Sequence, residues 1–116
     1  MVTQKQIDEI VRILVKDYQP ERIILFGSYA NGTAHEESDL DLAIVKKSDL
    51  PRFKRGAAVR AALRSEGRKW FFPMDILVYT PDEMESYQND PYSLVHEILL
   101  TGRTLYESSQ PARLVH

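Results

Sequence analysis

The chain contains no cysteine, which excludes disulfides and thiolate metal sites and is compatible with a reducing compartment. No apolar run approaches the roughly 18 residues needed to cross a bilayer. The N-terminal stretch MVTQKQIDEI is amphipathic and lacks the basic-then-apolar design of a secretory signal. These absences set the expectation of a cytoplasmic protein without membrane association. A large excess of one charge is also missing: 15 Lys and Arg stand against 17 Asp and Glu, for a net charge of -2. That argues against direct nucleic-acid binding over a broad surface and leaves room for a local basic patch. There are no internal repeats or low-complexity segments, and only 5 glycines and 6 prolines, so these serve as local punctuation.

What remains is ordinary globular material. Of 116 residues, 43% are hydrophobic and 28% charged, enough for one self-sufficient core. Residues 1–107 are expected to form a single domain, and 108–116 a flexible C-terminal tail.

Hydrophobic periodicity predicts the elements. Thr3 with Gln6 is a capping box, and Ile7, Ile10, Val11, Leu14 and Tyr18 recur at helical spacing, so 4–18 is a helix stopped by Pro20. Ile23 to Phe26 is a continuous apolar run, as in a strand buried on both faces. Residues 27–38 form a polar turn with one helical turn at its start. In the strand 39–45, Asp39, Asp41, Ala43 and Val45 share one face, and Leu40, Leu42 and Ile44 the other. A helix follows from about 51 to 65, with Leu50, Phe53, Ala57 and Ala61 as its apolar stripe and Gly67 ending it. Met74 to Tyr79 is a strand with Asp75, Leu77 and Tyr79 on one face. Thr80-Pro81-Asp82-Glu83 starts a helix. Another runs from Asp90-Pro91 to Gly102, before a short strand at Thr104–Tyr106. This order predicts a small α/β (α+β) domain, a short mixed sheet packed against helices.

The chemistry concentrates in GSYANGTAHEESDLDLAIV, from Gly27 to Val45. Asp39 and Asp41 project from one face of a strand, with Cα atoms about 7 Å apart. A neighbouring strand would bring Asp75 to the same face. Three carboxylates suit a hard cation, Mg²⁺ or Mn²⁺, and two ions about 3.5–4 Å apart would suit phosphoryl chemistry. Asp75 is then the candidate to help deprotonate an attacking hydroxyl. Gly27 lets a phosphate approach the backbone, Ser28 offers a hydroxyl, and a helix opening there adds amide N–H groups. A lone Gly-Ser is usually only a turn, and a lone Asp-x-Asp a solvated strand end. A carboxylate at Asp75, entering the apolar run Ile76-Leu77-Val78, is less ordinary, because burying an unpaired carboxylate is costly.

Gly-Ser, a spacer of ten residues, Asp-x-Asp and a third Asp on a later strand together resemble the signature of the polymerase-β-like nucleotidyltransferase superfamily, and in particular its minimal prokaryotic members. The resemblance runs from Ile23 to about Tyr106. It implies that Gly27 and Ser28 contact the nucleotide phosphates and that Asp39, Asp41 and Asp75 are catalytic Mg²⁺ ligands. It also implies transfer of a nucleoside monophosphate, AMP from ATP, to a hydroxyl with release of pyrophosphate. Minimal proteins of this kind pair with HEPN-domain toxins, whose tyrosine they adenylylate as the antitoxin of a toxin–antitoxin module. The chain departs from the pattern at Asn31, where many members carry Arg; Asn keeps hydrogen bonding and loses charge. The chain has no room for the helical acceptor domain of larger relatives, so the acceptor surface would come from a partner protein or a second copy. Two other readings stay open: an antitoxin that neutralises by contact alone, and a small-molecule nucleotidyltransferase completed by a helical subunit.

Other features have bland readings beside sharper ones. Residues 52–69 hold seven basic residues against Glu66, a face for triphosphate, RNA or an acidic partner, or merely a solvated helix. Trp70-Phe71-Phe72 is expected in the core, as is the stripe Leu94, Val95, Ile98 and Leu99. His35 reads as a solvated loop residue near the site, and His96 and His116 receive no role.

Overall fold

A computed structural model describes residues 1–108; the remainder of the expected tail, 109–116, lies outside the described residues. The elements are α1 (Gln4–Asp17), β1 (Arg22–Phe26), α2 (Ser28–Asn31), β2 (Leu40–Val45), α3 (Arg52–Leu63), β3 (Met74–Tyr79), α4 (Pro81–Tyr87), α5 (Leu94–Thr101) and β4 (Arg103–Glu107). Their order and type match the sequence expectation. Both capping boxes form, Thr3 with Gln6 and Thr80 with Glu83. The last helix starts later than Asp90-Pro91 suggests, because Ser93 caps it by accepting from the His96 N–H. Ser108, assigned to the tail from sequence, donates its N–H to the Glu21 carbonyl (2.8 Å). No helix among the described residues is long and apolar enough to cross a membrane.

The strands form one mixed sheet in the order β3-β2-β1-β4, with β2 and β3 parallel and β1 antiparallel to both neighbours. The parallel pair is joined through α3, as a parallel connection requires. Helices cover both faces, which explains the near-continuous apolar runs of β1 and β2. On one face Ile7, Ile10 and Leu14 of α1 and Val59 and Leu63 of α3 pack against Ile23, Leu25, Leu40, Leu42 and Ile44. On the other, Met84 of α4 and Val95 and Ile98 of α5 pack against Ile24, Ala43, Val45 and Tyr79.

Three packing expectations need correction. In α3 the buried residues are Arg55, Val59, Ala62 and Leu63, while Phe53 is 83% and Leu50 48% exposed and Ala57 and Ala61 face solvent. The buried face is centred on Arg55, whose guanidinium donates to the Leu50 and Val78 carbonyls (2.9 and 3.1 Å) and to the Glu83 carboxylate (2.6 and 3.2 Å). With a hydrogen-bond partner on each of its three nitrogens, this charge can be inside. Trp70 and Phe72 pack against the core as expected, but Phe71 between them is 91% exposed. Leu94 opens the α5 stripe exposed at 42%, whereas Val95 and Ile98 are buried.

Candidate active site

Register decides which residues meet. Phe26 pairs with Asp41 across the antiparallel β1–β2 ladder, and Asp41 pairs with Asp75 across the parallel β2–β3 ladder. Paired residues on adjacent strands lie about 5 Å apart and point to the same side. Asp41 and Asp75 are therefore lateral neighbours on the face that, two and four residues further on, carries Ala43, Leu77, Val45 and Tyr79 under α4 and α5. At the aspartate end Asp75 is exposed and Asp41 half-buried.

Asp39 stands just outside β2, because the ladder begins where the Leu40 N–H donates to the Pro73 carbonyl (3.0 Å). It is exposed and close enough for its charge to act on Asp41. Burial first, then the charges of Asp75 and Asp39, push the Asp41 carboxyl above its ordinary value. The structure thus gathers the three predicted carboxylates at one end of the sheet. Among the described residues no three His, Asp or Glu side chains converge to metal-coordinating spacing. The donor set is nonetheless the all-oxygen kind that Mg²⁺ or Mn²⁺ prefers.

The Gly27-Ser28 turn is built against Asp41. Gly27 has φ 71° and ψ -154°, a conformation that L side chains rarely adopt. A Cβ added there would lie 2.1 Å from Asp41 Oδ2. Gly27 is also the N-cap of α2 and offers no side-chain acceptor to the first-turn amides. Its carbonyl takes the Ala30 and Asn31 N–H groups (3.0 and 3.1 Å). Ser28 is the first helical residue and is half-buried. The turn is anchored by Tyr29, whose ring joins the core and whose hydroxyl accepts the Val2 N–H (3.0 Å).

Asn31 braces its own turn, its Oδ1 accepting from the Thr33 N–H (3.1 Å) and the Thr33 hydroxyl. An amide thus holds the backbone where an Arg is common in the resembled pattern. His35 likewise serves its own loop, its Nδ1 accepting the Glu37 N–H (3.2 Å) and its backbone N–H donating to Ser38 Oγ (2.9 Å).

The basic run of 52–69 divides. Arg55 is internal, Arg60 donates to the Met74 carbonyl (3.0 Å), and the Arg52 guanidinium lies 5.3 Å from the Tyr79 ring centre. Arg52, Leu77, Tyr79, Tyr87 and Leu94 line a hollow of about 420 Å³. It opens on the aspartate-bearing face, two residues along β3 from Asp75. The alternation Asp75, Leu77, Tyr79 was legible in the sequence, but not that α3, α4 and α5 would wall the space beside it.

Comparison with known proteins bears on the family and the fold. The family model described as polymerase β nucleotidyltransferase matches residues 8–111. A curated relative of Methanocaldococcus jannaschii, named "Putative protein adenylyltransferase", is 38% identical over 77 residues, covering 57% of this chain and 77% of its own. A second of the same name and organism is 30% identical over 90 residues, covering 72% of this chain and 89% of its own. Among solved structures, a toxin–antitoxin crystallised with AMP-PNP superposes with a TM-score of 0.58 at 24% identity, over 92% of this chain and 77% of that one. That likeness is one of fold.

Proposed function

The chain belongs to the polymerase β nucleotidyltransferase family, and from that membership we propose that it transfers AMP from ATP to a hydroxyl of a partner protein. The observation that carries this reading is the side-by-side placement of Asp41 and Asp75 beneath the Gly27-Ser28 turn. The M. jannaschii relatives named as protein adenylyltransferases support a protein as acceptor.

In this reading Gly27 and Ser28 hold the β- and γ-phosphates of ATP, with the Ser28 hydroxyl as donor. Asp39, Asp41 and Asp75 would hold Mg²⁺, which supplies neutralisation of phosphate charge and activation of the attacking oxygen. Asp75, the most open side of the pair, faces the incoming hydroxyl and accepts its proton. The acceptor oxygen bonds to the α-phosphorus as the bond from that phosphorus to the bridging oxygen breaks. Pyrophosphate leaves and AMP stays on the acceptor.

The acceptor we favour is a tyrosine of a HEPN-domain toxin, which makes the chain the antitoxin of a two-component module acting in the cytoplasm. The likeness in fold to a toxin–antitoxin solved with an ATP analogue supports this choice. The test is incubation of the chain with labelled ATP, Mg²⁺ and the product of a neighbouring toxin gene. Label should reach the toxin and fail to do so with Asp39→Asn/Asp41→Asn. Unlabelled toxin, or label that survives the double substitution, overturns the reading. Neutralisation of the toxin without label would favour inhibition by contact.

A further inference from the structure

A groove away from the carboxylates has a cationic rim and an apolar floor. It comprises two adjoining hollows, of about 510 and 300 Å³, that share Arg68, Lys69, Trp70, Phe72 and Pro73. The larger is rimmed by Arg60, Arg64, Arg68 and Lys69 and floored by Leu63, Trp70, Phe72 and Met74. The smaller runs on to Tyr29 and Ser38. Tyr29 follows Ser28, and Ser38 precedes Asp39. The groove thus lies on the α1/α3 face of the sheet, opposite the face that carries Asp41 and Asp75, and its smaller hollow reaches the chain neighbours of Ser28 and Asp39.

The rim charge is available. Arg64 and Lys69 are exposed, and neither has an ion-pair or hydrogen-bond partner for its side chain among the described residues. Arg60 binds, among the described residues, only a neutral carbonyl. Arg68 is the compensated member, 3.2 Å from Glu9. Glu66, the one acid of residues 52–69, is drawn away to Arg12 and Lys16 of α1 (2.8 and 3.9 Å). Among the described residues only Glu36, at the far end, puts a carboxylate in the lining. Phe71 stands in the smaller hollow 91% exposed, and an aromatic ring in that position gains from being covered.

We propose that this groove docks an acidic segment of the acceptor protein that carries an apolar side chain for the floor. This rests on the reading that the acceptor is a protein. Rim cations would attract and align the segment, and the floor would take the apolar side chain as an anchor. A protein segment fits better than single-stranded RNA, because the floor offers few open ring faces for base stacking. One face of Trp70 lies under Arg68, at 5.2 Å, its indole N–H donates to the Leu63 carbonyl (3.0 Å), and Phe72 meets it edge to face at 5.9 Å.

The molecule carries its own reporter, since Trp70 is the one tryptophan. The experiment is a titration of the whole chain, without ATP, with a synthetic peptide of Asp and Glu around a central Phe-Leu pair, read by Trp70 emission. Saturable binding is expected. It should weaken about 10-fold or more in Arg64→Glu/Lys69→Glu and fall as salt rises. Circular dichroism of the variant should be unchanged, because neither side chain holds the fold. No emission change, equal binding by the variant, or tighter binding of a single-stranded oligoribonucleotide overturns the proposal. Because no ATP is present, failure of AMP transfer overturns the preceding reading and leaves this measurement intact.

Discussion

The Asp41 carboxylate fills the space that a β-carbon on residue 27 would need: Oδ2 would lie 2.1 Å from it and Cγ 3.0 Å. The glycine is thus required twice, by its positive φ and by the carboxylate packed on it. The phosphate-binding turn and the metal-binding strand of the proposed mechanism are therefore packed directly against each other.

Gly27→Ala should therefore act on both folding and chemistry. The backbone at residue 27, with positive φ and extended ψ, is essentially reserved to glycine and costs on the order of 1–3 kcal/mol for alanine, and displacement of Asp41 should cost on the order of 100-fold in transfer rate. Paired thermal melts and AMP-transfer kinetics check this. A small loss of stability with full activity would contradict it.

Asp41→Asn should lose at least about 10³-fold in transfer while melting no lower than the parent. The Asp41 carboxyl is raised above its ordinary value by burial and by Asp75 and Asp39. A carboxyl raised on folding favours the folded state while protonated, and that contribution is lost as pH rises through its folded value. At neutral pH the substitution removes a charge that opposes folding. Comparing melts at pH 4 and pH 7 tests the sign: the gain from Asp41→Asn should be larger at pH 7.

Divalent cations should stabilise the folded chain by mass action. Millimolar MgCl₂ at pH 7 is expected to raise the melting temperature of the parent and not that of Asp41→Asn/Asp75→Asn. Chelation should stop transfer without unfolding the protein, since no core residue depends on the site. Calorimetry with and without EDTA separates the two effects.

Arg55 ties α3 to the Thr80–Glu83 turn, and Arg55→Ala should destabilise by about 3–5 kcal/mol. The hydrogen bond from Arg55 holds the Glu83 carboxyl below its ordinary value, against the opposing effect of burial. Its contribution is complete above the ordinary Glu range and is lost as pH falls through the depressed value. Glu83→Gln should accordingly flatten the acid limb of stability. Denaturant melts from pH 7 to pH 3 measure that slope.

At Gly102, an added Cβ would lie 2.4 Å from the Ile98 carbonyl and 2.8 Å from Ile24 Cγ2. Gly102→Ala should cost about 1–3 kcal/mol through overpacking where α5 turns into β4, with the transfer chemistry unchanged. A melt with a parallel activity assay distinguishes this glycine from Gly27.

Element order was legible because caps, punctuation and periodicity are local signals: Thr80, Pro81 and Glu83 name a helix start without reference to the rest of the chain. The face of α3 was not. An arginine reads as solvent-facing until its partners are known, and Arg55 finds two carbonyls and a carboxylate, most of them from distant segments. Counting it outside shifts the buried stripe onto Phe53 and Ala57. Phe71 was misplaced for a related reason: Trp70 and Phe72 pack against the core and leave Phe71 outside, a choice made by contacts with distant residues.

By itself the sequence determined the order of the elements, the family signature and the alternation that sets Asp41 with Ala43 and Val45, and Asp75 with Leu77 and Tyr79, on one side of each strand. These follow from backbone geometry repeated every two residues. Only the tertiary structure decided that β3 lies parallel beside β2 with Asp75 opposite Asp41, that Gly27 rests on that carboxylate, and that Glu66 turns away to leave a cationic groove. Strand pairing and ion-pair choice depend on contacts between residues far apart in the chain, and local propensity carries no information about them.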